Sequence, residues 1–271
     1  MTGLNGGRVI KRGYWQSYWD HEPHGGHRYQ TDDFLQMEAR EKLFHLDGGR
    51  SLLDFGCGSA DLLVYYAKAY DRVVGVDFSA GMLEKARKRL QAHGCLEKVT
   101  VLQADERTVW EQLPPSALFD RITAAGVVQN LAESQLEHLL AQAVQWLNPG
   151  GRIVLFDVID SRLFWLFRLG VLRKDNGPSA GWLSIAGSAV RQARTCLTWR
   201  LTGLPPCGWG YVLNAYHPSV IGHMAKRLGL EMQRLASMYY EYRYHVILAP
   251  RTGPAPGSPG TARKAESPVP E

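Results

Sequence analysis

The run LLDFGCGSADLL, residues 52–63, holds the most informative chemistry in the chain. A strand-like stretch ends in an acid, Asp54, and the backbone then passes Gly56, Cys57 and Gly58 before a helical pattern begins. Glycines at such a turn let the chain reverse sharply and let a ligand approach the backbone N–H groups. A dinucleotide fingerprint would want a further glycine at position 61, and Asp61 stands there instead. An anionic Asp54 just ahead of the turn suits a sulfonium or an amino-acid ammonium better than a pyrophosphate. Two more acids obey the same rule. Asp77 closes the strand-like run RVVGV, 21 residues after Gly56, where a carboxylate accepts both hydroxyls of a ribose. Asp105, followed by Glu106, closes VTVLQA and is placed to accept from an adenine amino group.

Three acids at three successive strand ends need a scaffold that brings those ends together. Strand patterns at Ser51–Phe55, Arg72–Val76, Val99–Gln103, Phe119–Ala124 and Arg152–Val158 alternate with helical ones at 60–70, Ala80–His93 and Glu133–Leu147. The last helix meets Asn148-Pro149-Gly150-Gly151, which reads as a stop signal. Repeated strand–helix units with short loops imply a parallel sheet covered by helices on both faces. After an interruption the rhythm returns, with a helix over Pro218–Leu228 and an antiparallel pair at Glu231–Leu235 and Tyr242–Leu248. The expected fold is α/β, a doubly wound and mostly parallel seven-stranded sheet with a helical cap inserted. The expected organisation is an aromatic-rich flap at 1–34, an α/β core at 35–158, a cap at 159–212, the end of the core at 213–249 and a disordered tail at 250–271.

With 45% apolar and 21% charged residues over 271 positions, the composition is that of a globular protein and excludes a disordered chain or a collagen-like fibre. Four scattered cysteines, Cys57, Cys95, Cys196 and Cys207, form no CxxC pair, so a reducing, cytoplasmic setting is expected. The N-terminus lacks the apolar run of a signal peptide, and no segment reads as membrane-spanning. Net charge is +5, too modest to point to nucleic acid.

The chain resembles the class I S-adenosylmethionine-dependent methyltransferases. LLDFGCGSADLL, VVGVDFSAGMLEKARKRL, VLQADE, FDRITAAGVVQNL and LNPGGRIVLFDV follow one another in that family's order. The resemblance implies a Rossmann-like fold with S-adenosyl-L-methionine as cofactor. It places the methionine end at Asp54, Gly56, Cys57 and Gly58, and the ribose at Asp77. It sets Phe78 and Met82 beside the adenine, the adenine amino group at Asp105 with Glu106 alongside, and Gly126 facing the methyl donor. Ala60 stands where many members carry another glycine.

Methyl transfer is an in-line displacement that asks the protein mainly for alignment and exclusion of water. No residue is assigned as catalytic; His217, Tyr18 and Gln129 are the candidates, and His245, in mid-strand, reads as a core histidine. Tyr14 and Tyr18 would belong to the flap. His21, His24 and His27 have helical spacing, but Pro23, Gly25 and Gly26 deny them a helix, and no metal is expected. Residues 159–212 give the chain its individuality. Large apolar side chains crowd 163–172, and between 161 and 212 seven basic residues face one acid. The expected partner is a small-molecule acceptor, bulky or apolar, methylated on oxygen, nitrogen or carbon, and no nucleic acid. Aromatic and basic residues together also suit a headgroup region. The alternatives are therefore a lipid- or quinone-directed enzyme touching the membrane surface through 161–172, or a non-catalytic module that keeps the cofactor pocket.

Overall fold

The computed structural model describes residues 19–20, 31–169, 171–172, 186–187, 189–190 and 214–251. Helix α1 (Asp32–Leu46) starts under Thr31, whose side chain accepts the Phe34 N–H, with Asp32 and Asp33 in its first turn. It is followed by β1 (Ser51–Phe55), α2 (Leu63–Ala69), β2 (Arg72–Asp77), α3 (Ala80–Ala92), β3 (Val99–Gln103), α4 (Val109–Gln112), β4 (Phe119–Ala125), α5 (Glu133–Gln145) and β5 (Leu147–Ile159). The short helix α6 (Phe164–Arg168) comes next, then α7 (Pro218–Arg227), β6 (Leu230–Ala236) and β7 (Arg243–Pro250). The seven strands lie in the order β3-β2-β1-β4-β5-β7-β6. Strands β1 to β5 pair in parallel, and β7 runs antiparallel between β5 and β6.

Alternation along each strand sorts the core into two layers. Leu53, Val74, Ile122 and Leu155 point toward α5 and α7, whose Leu136, Leu140, Ile221 and Met224 complete one cluster. Their neighbours Leu52, Val73, Val154 and Phe156 point the other way, toward Ala39 and Leu46 of α1, Leu63 and Tyr66 of α2, and Leu83 and Leu90 of α3. Helix α1 is thus a structural part of the core and begins before the expected boundary at residue 35.

Two other expectations are corrected. Asn148-Pro149-Gly150-Gly151 does not separate helix from strand, because β5 already begins at Leu147. The sequence stays against β4, where the Phe119 N–H donates to the Trp146 carbonyl, and a Cβ on Gly151 would stand 3.0 Å from the Phe119 carbonyl oxygen. At the other end Pro250 belongs to β7 rather than to a tail. Among the described residues no helix is long and apolar enough to cross a membrane.

Candidate active site

Strand order reverses between β1 and β4, so the loops leaving their carboxyl ends part and open a crevice there. Both loops are glycine-hinged, and they touch. Gly56 has φ +77, and a Cβ on it would lie 2.3 Å from Val127 Cγ2, beside Gly126 at φ +65. The close packing of two loops and the left-handed backbone both demand glycine at 56. Gly56→Ala is expected to cost about 1–2 kcal/mol from the backbone alone, read as a lower thermal midpoint and weaker cofactor binding in one titration series.

The loop after β1 does not spend its N–H groups as the sequence suggests. Gly56 and Cys57 both donate to the Val76 carbonyl, at 2.7 and 2.9 Å. Gly58 donates to Asp77 Oδ2 at 3.0 Å, and Ala60 to the Cys57 carbonyl at 3.0 Å. These donors hold the turn to β2 instead of facing a ligand, so the loop is no phosphate cradle. A site floored by the buried Asp54, with these four N–H groups already engaged, favours a cation, as the identity of Asp54 implies. Ala60 takes φ +67, a left-handed position where a glycine would be unstrained.

Asp77 is the electrostatic centre of the crevice. Its carboxylate also accepts the Ser79 N–H at 2.9 Å, and it is almost wholly buried. Burial lifts its pKa to about 6 against the pull of these backbone N–H groups, so further donors would stabilise the carboxylate. Ribose hydroxyls would supply them. Cys57 is buried beside Asp77 and Asp54; burial first, then those two charges, push its thiol up and keep it neutral. Met82 is fully buried on α3, and Phe78 is half-buried at the end of β2. Asp105 uses Oδ1 to accept the Arg107 and Thr108 N–H groups and the Thr108 hydroxyl, which builds the turn into α4. Glu106 Oε1 accepts from Gln135 Nε2 at 2.8 Å, tying β3's exit to α5.

One contributor escaped the sequence reading. Asp20 Oδ1 accepts the Ser79 hydroxyl at 2.6 Å and the Gly81 N–H at 3.2 Å, directly beside Asp77. A Cβ on Gly81 would meet the Asp20 carbonyl oxygen at 2.6 Å, so the glycine admits this close approach. The aromatic and histidine content around Asp20, YWQSYWDHEPHGGH, carries no pattern that predicts it. Tyr14, Tyr18, His21, His24 and His27 lie outside the described residues, as does most of the expected cap.

Sequence and fold now meet a comparison with known proteins. Residues 52–151 match the family model described as a methyltransferase domain. Over this domain the chain is similar to S-adenosylmethionine-dependent methyltransferases. It is 32% identical over 143 residues to 27-O-demethylrifamycin SV methyltransferase of Amycolatopsis mediterranei, covering 49% of this chain and 50% of that protein. To demethylmenaquinone methyltransferase of Symbiobacterium thermophilum it is 31% identical, covering 42% of this chain and 44% of the relative. The chain thus spans half or less of the length of these curated relatives. The CcbJ methyltransferase structure from Streptomyces caelestis shares the fold, with a TM-score of 0.55 at 18% identity over 86% of this chain and 94% of that one.

The loop after β4 offers amides. Gln129 and Asn130, on the 3₁₀ turn Val128–Asn130, each bury a side-chain oxygen that has no hydrogen-bond partner among the described residues. Gln129 Nε2 stands 3.7 Å from where a Gly126 Cβ would be. His217 does not join them. It is exposed and caps α7, its Nδ1 accepting the Ser219 N–H at 3.2 Å. Among the described residues Glu41, His45 and His245 bring ligand-type atoms within 4.8 Å of one another. That trio is a poor metal site. His245 Nδ1 accepts the Asp157 N–H, whereas a ligating histidine ordinarily donates from its second nitrogen.

Proposed function

We propose that the protein transfers a methyl group from S-adenosylmethionine to a small-molecule acceptor whose bulk is apolar and aromatic. When bound, the cofactor supplies an electrophilic methyl on a cationic sulfur. Asp77 would take the ribose, Asp54 and the loop through Gly58 the methionine end, and Phe78 with Asp105 the adenine. The Gln129 and Asn130 amides would orient the acceptor's nucleophile; an amide accepts and donates hydrogen bonds but is no base.

The single observation that carries the acceptor class is an aromatic shell at the carboxyl edge of the sheet. Phe167 of α6 stacks on Tyr242 with ring centroids 3.8 Å apart, and Phe164 and Tyr240 flank them. Segment 214–216 links this shell to the amides: the Asn214 N–H donates to the Gln129 carbonyl, Ala215 packs on the aromatic cluster, and Tyr216 bridges to Asp160. An apolar body can lie on the rings while its polar atom meets Gln129. The test is methyl transfer from labelled cofactor across a panel of planar phenols, aromatic amines and small carboxylates. The first two classes are expected to be methylated, and Phe167→Ala is expected to raise their KM about tenfold, the worth of one lost aromatic contact, with cofactor affinity unchanged. Turnover confined to small carboxylates would overturn the acceptor class.

A second reading has its own observation. Trp165 is 48% exposed, and Leu166 and Val171 are exposed on the same short segment. These outward apolar residues favour contact with a lipid surface, from which a quinone or lipid acceptor would be drawn. Activity that rises with anionic liposomes and loses that dependence in Trp165→Glu would establish it over the soluble-acceptor reading.

A further inference from the structure

The peptide joining Phe156 to Asp157 is gripped from both sides. Its carbonyl accepts the Gly126 N–H at 3.1 Å, and its N–H donates to His245 Nδ1 at 3.1 Å. Pairing between β5 and β7 slips between Leu155 and Val158, leaving this peptide in a bulge. Asp157 there takes φ +58, a conformation that L residues other than glycine rarely adopt.

A backbone N–H can only donate, so Nδ1 of His245 must carry its lone pair and the ring hydrogen sits on Nε2. Nε2 in turn donates to Glu41 Oε1 at 3.0 Å, and the same oxygen accepts the Met238 N–H at 2.6 Å. The ring is fully buried, with the Phe156 ring edge-on at 5.1 Å. Both nitrogens are committed, and the ring has one orientation and one tautomer that satisfies its neighbours.

We propose that His245 is a positioning residue for methyl transfer: it sets the 156–157 peptide, and that peptide's carbonyl sets Gly126. The inference rests on the reading that Gly126 faces the methyl donor. Bulges beside functional sites serve to re-aim the chain, and here a histidine holds the bulge open in one state.

The test uses the full chain, ¹⁵N-labelled, with S-adenosylhomocysteine titrated by calorimetry. His245→Phe keeps a ring but offers no acceptor to the Asp157 N–H; His245→Asn keeps an acceptor oxygen. His245→Phe is expected to weaken binding about tenfold, the worth of one hydrogen bond at its upper end, and to move the Gly126 amide resonance. His245→Asn is expected to hold both near wild type. A phenylalanine variant with Gly126 unmoved, or an asparagine variant as impaired as the phenylalanine one, overturns the proposal. If His245→Phe does not fold, His245→Leu takes its place with the same expected loss, and a leucine variant that leaves the Gly126 resonance unmoved overturns the role. Failure of the wild type to bind S-adenosylhomocysteine would sink the cofactor reading instead, and the Gly126 resonance would still report on His245.

Discussion

Replacing Lys42 with methionine is expected to cost about 3–5 kcal/mol of folding stability at pH 7, the usual result of stripping the cation from a buried charge cluster. Lys42 is completely buried, 2.9 Å from Asp157 Oδ2 and 3.5 Å from Glu38 Oε1. Burial pulls its pKa down, but the Asp157, Glu38 and Glu41 carboxylates more than offset this and hold it above the ordinary lysine value. Asp157 shows the reciprocal effect. Burial would raise it, yet Lys42 foremost, with His245 and Arg243, holds it well below the usual carboxylate range. An acid depressed in the folded state contributes stability above its unfolded pKa, and that contribution is lost only as pH falls through the folded value. Methionine fills the space but leaves Glu38 and Asp157 facing each other without the ammonium. Their pKa values then rise above the unfolded ones, so the variant regains stability as they protonate. The deficit in urea unfolding is therefore expected to be largest at neutral pH and to shrink toward pH 4–5. A loss under 1 kcal/mol at pH 7, or one that grows on acidification, would show that Lys42 does not organise this cluster.

That cluster also marks the limit of what the sequence discloses. Asp54, Gly56, Gly58 and Asp77 are legible because local rules place them: an alternating or buried strand must end, and a glycine pair must turn. Strand order and register then bring those ends together, Asp54 opposite Gly75 and Asp77 opposite Gln103. Helix α1 defeats the same rules. Glu38, Glu41 and Lys42 carry charge, yet all three are buried because partners arrive from far along the chain. Asp157 lies more than a hundred residues away, and Met238 and His245 about two hundred. Asp20 is illegible for a similar reason: its value comes from lying against Ser79 and Gly81, a tertiary contact that no periodicity encodes. His245 was legible as a core histidine but not as a holder of the β5 bulge, since the bulge itself arises from a slip between two distant strands.

Asp77→Ala is expected to weaken S-adenosylhomocysteine binding by about 10- to 150-fold, because on the proposed placement the ribose hydroxyls lose a charged acceptor worth roughly 1.5–3 kcal/mol. The Gly58 N–H loses its partner as well, which loosens the turn after β1. The wild-type pH profile separates the two contributions. Burial, the largest influence on this carboxyl, raises it from 3.8 to about 6 although the Ser79, Gly58 and Phe78 N–H groups pull it down. An acid raised in the folded state favours folding below its unfolded pKa, and that advantage disappears as pH climbs through about 6. At neutral pH the free protein therefore holds a carboxylate that burial disfavours by roughly 3 kcal/mol. Hydroxyl donors from a ribose stabilise that charge, lower the pKa of the complex and make binding expel a proton below pH 6. Affinity is then expected to fall on going from pH 7.5 to pH 5, approaching tenfold per pH unit, with proton release visible as a buffer-dependent heat. Asp77→Asn keeps one acceptor oxygen and the volume but has nothing to titrate, so its weaker binding is expected to be flat across that range. A wild type whose affinity ignores pH between 5 and 7.5 would mean that Asp77 does not meet the nucleoside, whatever the alanine variant does.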